Sequence, residues 1–257
     1  MSTPSLAIVI PCYNEYGRLY PDRFRGFLSQ HPDAFICFVD DASTDRTPEL
    51  LEGFRAEFPG QVAVCTNPSN TGKAGAVRHG VLYAHQHNLA PALAYLDADL
   101  ATSLEECYSY LPSLEEKSFL FASRILIVGS EIERTFMRFF VGRVIATAIS
   151  NILNLKVYDT QCGCKVFRSE LAPLLFGEPF VSRWLFDVEL FSRILSEYGP
   201  EKGEALMREI PVRRWIDQGE SKVRITYGFR LWWDLLRIGT RHRRAMKPWR
   251  NQPKPEQ

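Results

Sequence analysis

The residues with the clearest chemical potential are Asp97 and Asp99, which close the apolar run "ALAYLDADLATS" with only Ala98 between them. Alternate side chains of an extended chain share a face, so carboxylates two residues apart converge and repel one another. A hard divalent cation, held by a few carboxylates together with water and substrate phosphate, is the common remedy. The same spacing also suits a strand-end turn in which Asp97 accepts hydrogen bonds and Asp99 caps a helix. Two further stretches bear on the choice. "DDASTDRT" sets Asp40, Asp41 and Asp45 beside small hydroxyl residues. Asp45, just ahead of Thr47 and Pro48, reads as a helix start, whereas Asp40 or Asp41 at a strand end is suited to a base N–H or a ribose hydroxyl. "NTGKAGAVRHG" lacks the GxxxxGK[ST] pattern of a P-loop, yet Gly72, Lys73 and Gly75 allow backbone to approach an anion at a helix N-terminus. His79, inside that helix, is expected to be packed or solvated rather than catalytic. An aspartyl-phosphate mechanism is disfavoured, because Ala101 stands where DxDx[TV] needs Thr or Val.

Such residues need elements that bring them together. Strand-like apolar runs at 6–10, 34–39, 62–66, 93–96 and 118–123 alternate with helical stretches at 20–30, 47–58 and 74–88. That alternation predicts an α/β fold with a mostly parallel sheet flanked by helices, in which ligands gather at the carboxyl ends of the strands. Polar clusters fall there: "PCYNE", "DDASTD", "NPSNTGKAG", "DAD", and Ser123 with Arg124. Five clusters at successive strand ends exceed what turn chemistry alone explains.

Beyond Arg124 the chain changes character. Residues 131–155 predict one long helix rich in Phe and Ile, "YDTQCGCKVFRSE" a loop and short strand, and "SRWLFDVELFSRILSEYG" an amphipathic helix ended by Gly199 and Pro200. "REIPVRRWI" reads as an edge strand. Residues 227–242 predict a helix with Phe229, Trp232, Trp233 and Leu236 on one apolar face and Leu231, Leu235 and Ile238 on a second nearly opposite. Arg230, Arg237 and Arg241 crowd a stripe between them. Two apolar faces need two surfaces: the domain for one, and a membrane surface or a partner protein for the other.

A chain of 257 residues can build one large α/β domain or two small ones, and 46% hydrophobic with 24% charged residues is the balance of a soluble globular protein. No basic stretch precedes the first apolar run, and the most span-like segment, 139–158, carries Arg143, Asn151, Asn154 and Lys156. Neither a leader nor a spanning helix is expected. Six cysteines without a CxxC pair predict reduced thiols and no zinc site, so the expected compartment is cytoplasmic. The net charge of +1 conceals an asymmetry: residues 1–220 hold 21 Lys and Arg against 28 Asp and Glu, a net of −7, and residues 221–257 hold 10 against 2, a net of +8. A basic end on an acidic body calls for a polyanion such as membrane headgroups, nucleic acid or an acidic protein.

In order and spacing, "IVIPCYNE", "FVDDASTDRT", "NTGKAGAVRHG", "YLDADLATS", "DTQCGCKVF", "RWLFDVELFSRI" and "IPVRRWIDQGESKV" resemble the family 2 glycosyltransferases of GT-A fold. Within that family the chain is most similar to the polyprenyl-phosphate sugar synthases, nearest the dolichyl-phosphate β-glucosyltransferases and next the dolichyl-phosphate mannose synthases. "DTQCG", "RWLFDVEL" and "GESK" are the specific motifs. The resemblance implies a GT-A-like domain at 1–225 and a basic amphipathic helical extension at 226–257. It implies inverting transfer of a hexose from a nucleotide sugar, UDP-glucose or GDP-mannose with UDP-glucose preferred, to a polyprenyl phosphate at the cytosolic membrane face. Mg²⁺ or Mn²⁺ would be held by Asp97 and Asp99. The nucleotide sugar would lie among Pro11, Tyr13, Glu15, Asp41, Gly72, Lys73 and Asp97. Arg124, Arg134, Arg138 and Lys222 would hold the acceptor phosphate, with Asp99, Arg124 and Arg138 as the catalytic set.

Departures from the family pattern qualify this picture. Ala101 replaces the Gln that assists the metal in mannose synthases, so that third ligand is either absent or supplied from elsewhere, with Gln161 the candidate. The family's GFK reads Gly163, Cys164, Lys165. The C-terminal transmembrane helices of many relatives are not seen, which implies peripheral association with a membrane or a membrane protein; nucleic acid is not an expected partner. One rival is a soluble member that glycosylates a saccharide or small-molecule hydroxyl, which needs a general base such as Asp187 or Asp217. Another is a catalytically silent nucleotide-binding scaffold subunit, against which the DxD and the basic residues speak.

Overall fold

The computed structural model describes residues 4–133, 136–216 and 227–250, and the side chains at 133–138, 216–229 and 250 lie outside that description. The strands in chain order are β1 (Leu6–Cys12), β2 (Ala34–Asp40), β3 (Val62–Thr66), β4 (Ala92–Leu96), β5 (Phe119–Ser123), β6 (Glu131–Glu133), β7 (Cys164–Arg168), β8 (Met207–Pro211) and β9 (Arg214–Ile216). The helices are α1 (Pro21–Gln30), α2 (Thr47–Glu57), α3 (Gly72–Gln86), α4 (Leu104–Tyr108), α5 (Phe136–Leu153), α6 (Ala172–Phe176), α7 (Phe186–Tyr198), α8 (Pro200–Ala205), α9 (Tyr227–Ala245) and α10 (Lys247–Arg250). Seven strands form one sheet in the order β3-β2-β1-β4-β7-β5-β8, and β6 pairs with β9 separately.

β1 and β2 are apolar almost throughout because helices cover both their faces. On one face Ile8, Ile10 and Phe38 pack with Phe24 and Phe27 of α1 and with Leu51 and Phe54 of α2. On the other, Val9 and Val39 meet Val77 and Val81 of α3, and the core continues through Tyr95, Phe121 and Phe167 to Phe186 and Phe191 of α7. A side chain at Gly80 would meet Val9 and Val39 at 2.5 and 2.6 Å, so α3 seats directly on the sheet with its N-terminus at the carboxyl ends of the strands.

The strand that matters most for the site is β7. It enters antiparallel between β4 and β5, with Leu96 opposite Cys164 and both Tyr95 and Phe121 opposite Lys165. The start of β7 therefore lies beside the ends of its neighbours, and the loop that leads into it arrives where the DxD begins.

Two expectations are corrected. Residues 131–155 are not one helix: Glu131–Glu133 pair in parallel with Arg214–Ile216, and the helix begins at Phe136. The alternation of Glu131, Ile132 and Glu133 follows the period of a strand, and Ile132 packs on the core. "REIPVRRWI" likewise divides in two: the ladder with β5 runs to the Val212 N–H, which donates to the Ser123 carbonyl at 2.9 Å, and Arg214–Ile216 pair instead with β6. The C-terminal helix carries the two apolar faces that its pattern predicts. Leu235 and Ile238 are buried, Leu231 packs beside them, and Trp232, Trp233 and Leu236 face outward. Among the described residues no helix is long and apolar enough to cross a membrane.

Candidate functional site

β4 ends at Leu96, and a tight turn follows. The Asp97 N–H donates to the Gly163 carbonyl at 3.2 Å, the Leu100 N–H donates to the Asp97 carbonyl at 3.1 Å, and Leu100 takes a φ of +50°. Asp99 Oδ1 accepts the Ala101 N–H at 3.0 Å. The cap of the next helix is Ser103, whose hydroxyl accepts the Glu106 N–H at 3.0 Å, so Asp99 is not spent on that role. Lys73, in the first turn of α3, places its Nζ 2.5 Å from Asp97 Oδ1. Burial and then the charge of Asp97 raise the Asp99 pKa. Burial by itself would lower the Lys73 pKa, but Asp97 and then Asp187 outweigh it and leave it raised. Both shifts describe a place short of positive charge.

The room beside Asp97 is set by Gly163, where a Cβ would stand 1.9 Å from Asp97 Oδ2. Among the described residues no group of three or more His, Cys, Asp or Glu is placed to hold a metal ion. Two acidic side chains only partly offset by one lysine fit a hard cation whose remaining ligands are phosphate oxygens and water. A closed protein cage is not what these residues build.

The loops after β1 and β2 are fastened to each other. The Asn14 N–H donates to Ser43 Oγ at 3.1 Å, and Asn14 Oδ1 accepts the Thr44 N–H at 2.8 Å. The Glu15 N–H reaches Thr47 Oγ1 at 2.8 Å, and Asp45 accepts from the N–H groups of Tyr16 and Thr47, in line with its reading as a helix start. Pro11 is the last residue but one of β1, opposite Val39, and Tyr13 is exposed just beyond the strand. Asp41 is buried, and four donors occupy its oxygens. Asn67 Nδ2 at 2.7 Å, the Thr71 N–H at 2.9 Å and Thr71 Oγ1 at 2.7 Å meet Oδ1, and the Gly72 N–H at 2.8 Å meets Oδ2. Asp41 thus closes the N-terminus of α3 and fixes the turn that carries Lys73. Asp40 beside it accepts the Ser43 N–H at 3.1 Å. His79 packs against Asn67, with Nδ1 2.6 Å from Oδ1.

Arg124 leaves the end of β5 and forms a fork with Asp159. Nε lies 2.6 Å from Oδ2 and Nη2 lies 3.0 Å from Oδ1, and the Arg124 backbone N–H also donates to Oδ2 at 3.1 Å. The guanidinium sits over the Trp215 ring, 5.3 Å from its centroid. Burial alone would raise the Asp159 pKa, but the Arg124 charge and hydrogen bonds hold it well below the usual carboxylate range. Asp97 is close enough to add to the upward shift of Arg124. Glu209 of β8 accepts the N–H groups of Tyr158 and Asp159 at 2.9 and 2.8 Å and so fixes the loop from below. A guanidinium has five N–H donors, and the fork engages two of them.

The structure therefore brings Asp97, Asp99, Lys73 and Arg124 to one rim, joined by the loop from Asp159 to Gly163, with Pro11, Tyr13, Glu15, Asp41 and Gly72 on the adjoining loops. Gln161 lies in that shared loop. Its N–H donates to Asp159 Oδ1 at 2.9 Å and its side-chain amide to Thr160 Oγ1 at 3.4 Å, and no described contact joins it to the DxD. Arg134, Lys222 and the side chain of Arg138 lie outside the described residues, as does Asp217. Asp187, the other candidate base, is buried in an ion pair with Lys165 and accepts the Tyr95 hydroxyl. Sequence reasoning missed the supporting roles of Asp159, Gly163, Glu209 and Lys165. A lysine inside a short strand that is apolar up to its closing Arg168, two residues after a glycine, was the available signal.

The family model described as "Glycosyl transferase family 2" matches residues 7–175. The chain is 31% identical over 245 residues to the dolichyl-phosphate beta-glucosyltransferase ALG5C of Trichomonas vaginalis, covering 90% of this chain and 69% of that protein. Among solved structures it is similar to mannosyl-3-phosphoglycerate synthase from Rubrobacter xylanophilus, with a TM-score of 0.67, 14% identity, and coverage of 99% of this chain and 78% of that one. It is also similar to glucosyl-3-phosphoglycerate synthase from Mycobacterium tuberculosis in complex with Mn²⁺, UDP and glucosyl-3-phosphoglycerate. There the TM-score is 0.59, with 13% identity, 98% coverage of this chain and 82% of that one. At such identities the structures establish the fold, a GT-A-like sheet flanked by helices.

Proposed function

The chain belongs to glycosyltransferase family 2 and is a glycosyltransferase, and from that premise we propose that it moves glucose from UDP-glucose to a polyprenyl phosphate at a membrane surface, with inversion. The observation that carries this reading is the rim where an acidic pair with a lysine, Asp97, Asp99 and Lys73, stands beside an arginine fork, Arg124, on one loop. The loops of Pro11 to Glu15 and of Asp41 to Lys73 shape the donor side. Asp41 acts there through the turn it holds, and Lys73 presents its ammonium toward the diphosphate. Asp97 and Asp99 would hold a Mg²⁺ or Mn²⁺ ion, which would supply neutralisation of the leaving diphosphate.

On the acceptor side a phosphate oxygen attacks the anomeric carbon as the bond to the diphosphate breaks. The acceptor is already anionic near neutral pH, so no proton has to be removed. What it needs is positive charge in a fixed fork, and the donors of Arg124 beyond the Asp159 pair supply it. Arg134, Arg138 and Lys222 are proposed to complete that set. A hydroxyl acceptor would need a base, and Asp187 is already committed to Lys165 and Tyr95.

Outward-facing apolar residues support a membrane-borne acceptor. Leu126, Ile127 and Val128 follow Arg124, Phe139, Phe140, Val141 and Val144 lie on α5, and Trp232, Trp233 and Leu236 lie on α9. Exposed Arg230, Arg237, Arg241, Arg243 and Arg244 accompany them. Aromatic rings settle at headgroup level, and each cation near an anionic surface adds about 1 kcal/mol. The reading is tested by UDP titration with and without Mn²⁺. Tight binding should require the metal in the wild type, and Asp97→Asn or Asp99→Asn should bind UDP weakly and equally under both conditions while remaining folded. Metal-independent binding by the wild type would overturn it.

A further inference from the structure

Lys165, the second residue of β7, is fully buried. Its ammonium has three N–H donors and three acceptors: Asp187 Oδ1 on the first turn of α7, the Thr160 carbonyl at 2.9 Å and the Cys162 carbonyl at 2.5 Å. Tyr95, its register partner on β4, donates its hydroxyl to the same Asp187 oxygen. An ion pair this deep is a poor stabiliser, since well-packed apolar residues of similar volume often do as well or better. Its retention calls for another reason.

That reason lies in what the carbonyls belong to. Thr160 and Cys162 sit between Asp159, which holds Arg124, and Gly163, whose carbonyl receives the Asp97 N–H and whose bare Cα faces the Asp97 carboxylate. Tyr95 stands two residues before Asp97 on the strand that ends in the DxD. The charge of Asp187 also reaches Lys73, the counter-ion of Asp97. Every partner of the buried lysine thus leads to one of the two halves of the rim.

We propose that Lys165, Asp187 and Tyr95 are positioning residues: a buried clamp that sets the Asp97 carboxylate and the Arg124 guanidinium at a fixed separation by pinning the loop between them. The proposal deepens the donor and metal reading above and rests on it. Groups that support metal-holding side chains commonly change metal affinity or activity by about 10-fold to 100-fold when removed, and misplacement by about 1 Å can cost a similar factor in rate.

The test is the paired variant Lys165→Met with Asp187→Leu, which removes both charges and leaves neither unpaired. Mn²⁺ affinity in the presence of UDP is read by electron paramagnetic resonance of the free ion, alongside the melting temperature. The clamp predicts a cooperatively folded protein with a lowered melting temperature, because the Thr160 and Cys162 carbonyls and the Tyr95 hydroxyl lose their partners, and with Mn²⁺ affinity weakened about 10-fold or more. A changed melting temperature with unchanged Mn²⁺ affinity of the folded protein overturns it. Should the pair fail to fold, Tyr95→Phe deletes a single hydroxyl and carries the same test. A several-fold loss of Mn²⁺ affinity is then expected, and none overturns the proposal. Wild type that binds no Mn²⁺ with UDP would sink the donor reading and the clamp together, whereas normal wild-type binding with an unchanged variant sinks the clamp alone.

Discussion

At the scale of single residues, Gly163 has the least freedom, because the atom that alanine would add lies 1.9 Å from Asp97 Oδ2. Either the carboxylate swings away or the loop retreats. Gly163→Ala should therefore lower metal-dependent turnover at least about 10-fold at an overpacking cost of about 1 to 3 kcal/mol, checked by Mn²⁺ titration beside urea unfolding. The Arg124–Asp159 fork makes a prediction in pH. The folded-state pKa of Asp159 is depressed below its unfolded value, so the pair's contribution is fully present above about pH 4 and is lost as pH falls from there through the folded value. Asp159→Asn should cost about 3 kcal/mol at pH 7, and the gap from wild type should narrow below about pH 4 in urea unfolding at a series of pH values. A gap that stays constant into acid would contradict the assignment. The sequence announced Asp97, Asp99 and Arg124 through residue type at strand ends. It was silent on Asp159 and Gly163, because their roles are contacts across the sheet that no local spacing encodes.

At the scale of elements, the loops at the strand ends were legible and the order of the strands was not. Apolar runs marked β1 to β5 to within a residue or two, since strands covered on both faces are apolar throughout. The insertion of β7 between β4 and β5, which carries Asp159–Gly163 to the DxD, depends on pairing between distant segments. β6 and β9 are three residues each, and an alternation that short does not by itself tell a strand from the start of a helix. The amphipathic pattern of α9 was readable from Leu231 to Ile238, the side chain of Phe229 lying outside the described residues, and its two faces separate experimentally. Leu235 is buried against the body and Trp233 is 64% exposed. Leu235→Ala should cost about 2 to 4 kcal/mol. Trp233→Ala should leave stability within about 0.5 kcal/mol yet reduce co-sedimentation with anionic vesicles. Equal stability losses from both changes would mean that the outward face is packed.

At the scale of the whole molecule, an acidic body of net −7 over residues 1–220 carries a basic end of net +8, and the outward aromatic residues of α9 lie at that basic end. On the proposed reading, a surface so divided would orient itself at an anionic membrane and let go as salt screens it. That would give the proposed donor rim a route to an acceptor phosphate at a lipid surface. The central claim is the transfer itself, and it is measured by incubating the protein with radiolabelled UDP-glucose, dolichyl phosphate in detergent micelles and Mn²⁺, then partitioning the label between water and organic solvent. The account predicts label in the organic phase, abolished by chelation and by Asp97→Asn. Label that stays in the aqueous phase with folded wild-type protein, or transfer that survives chelation, would contradict it.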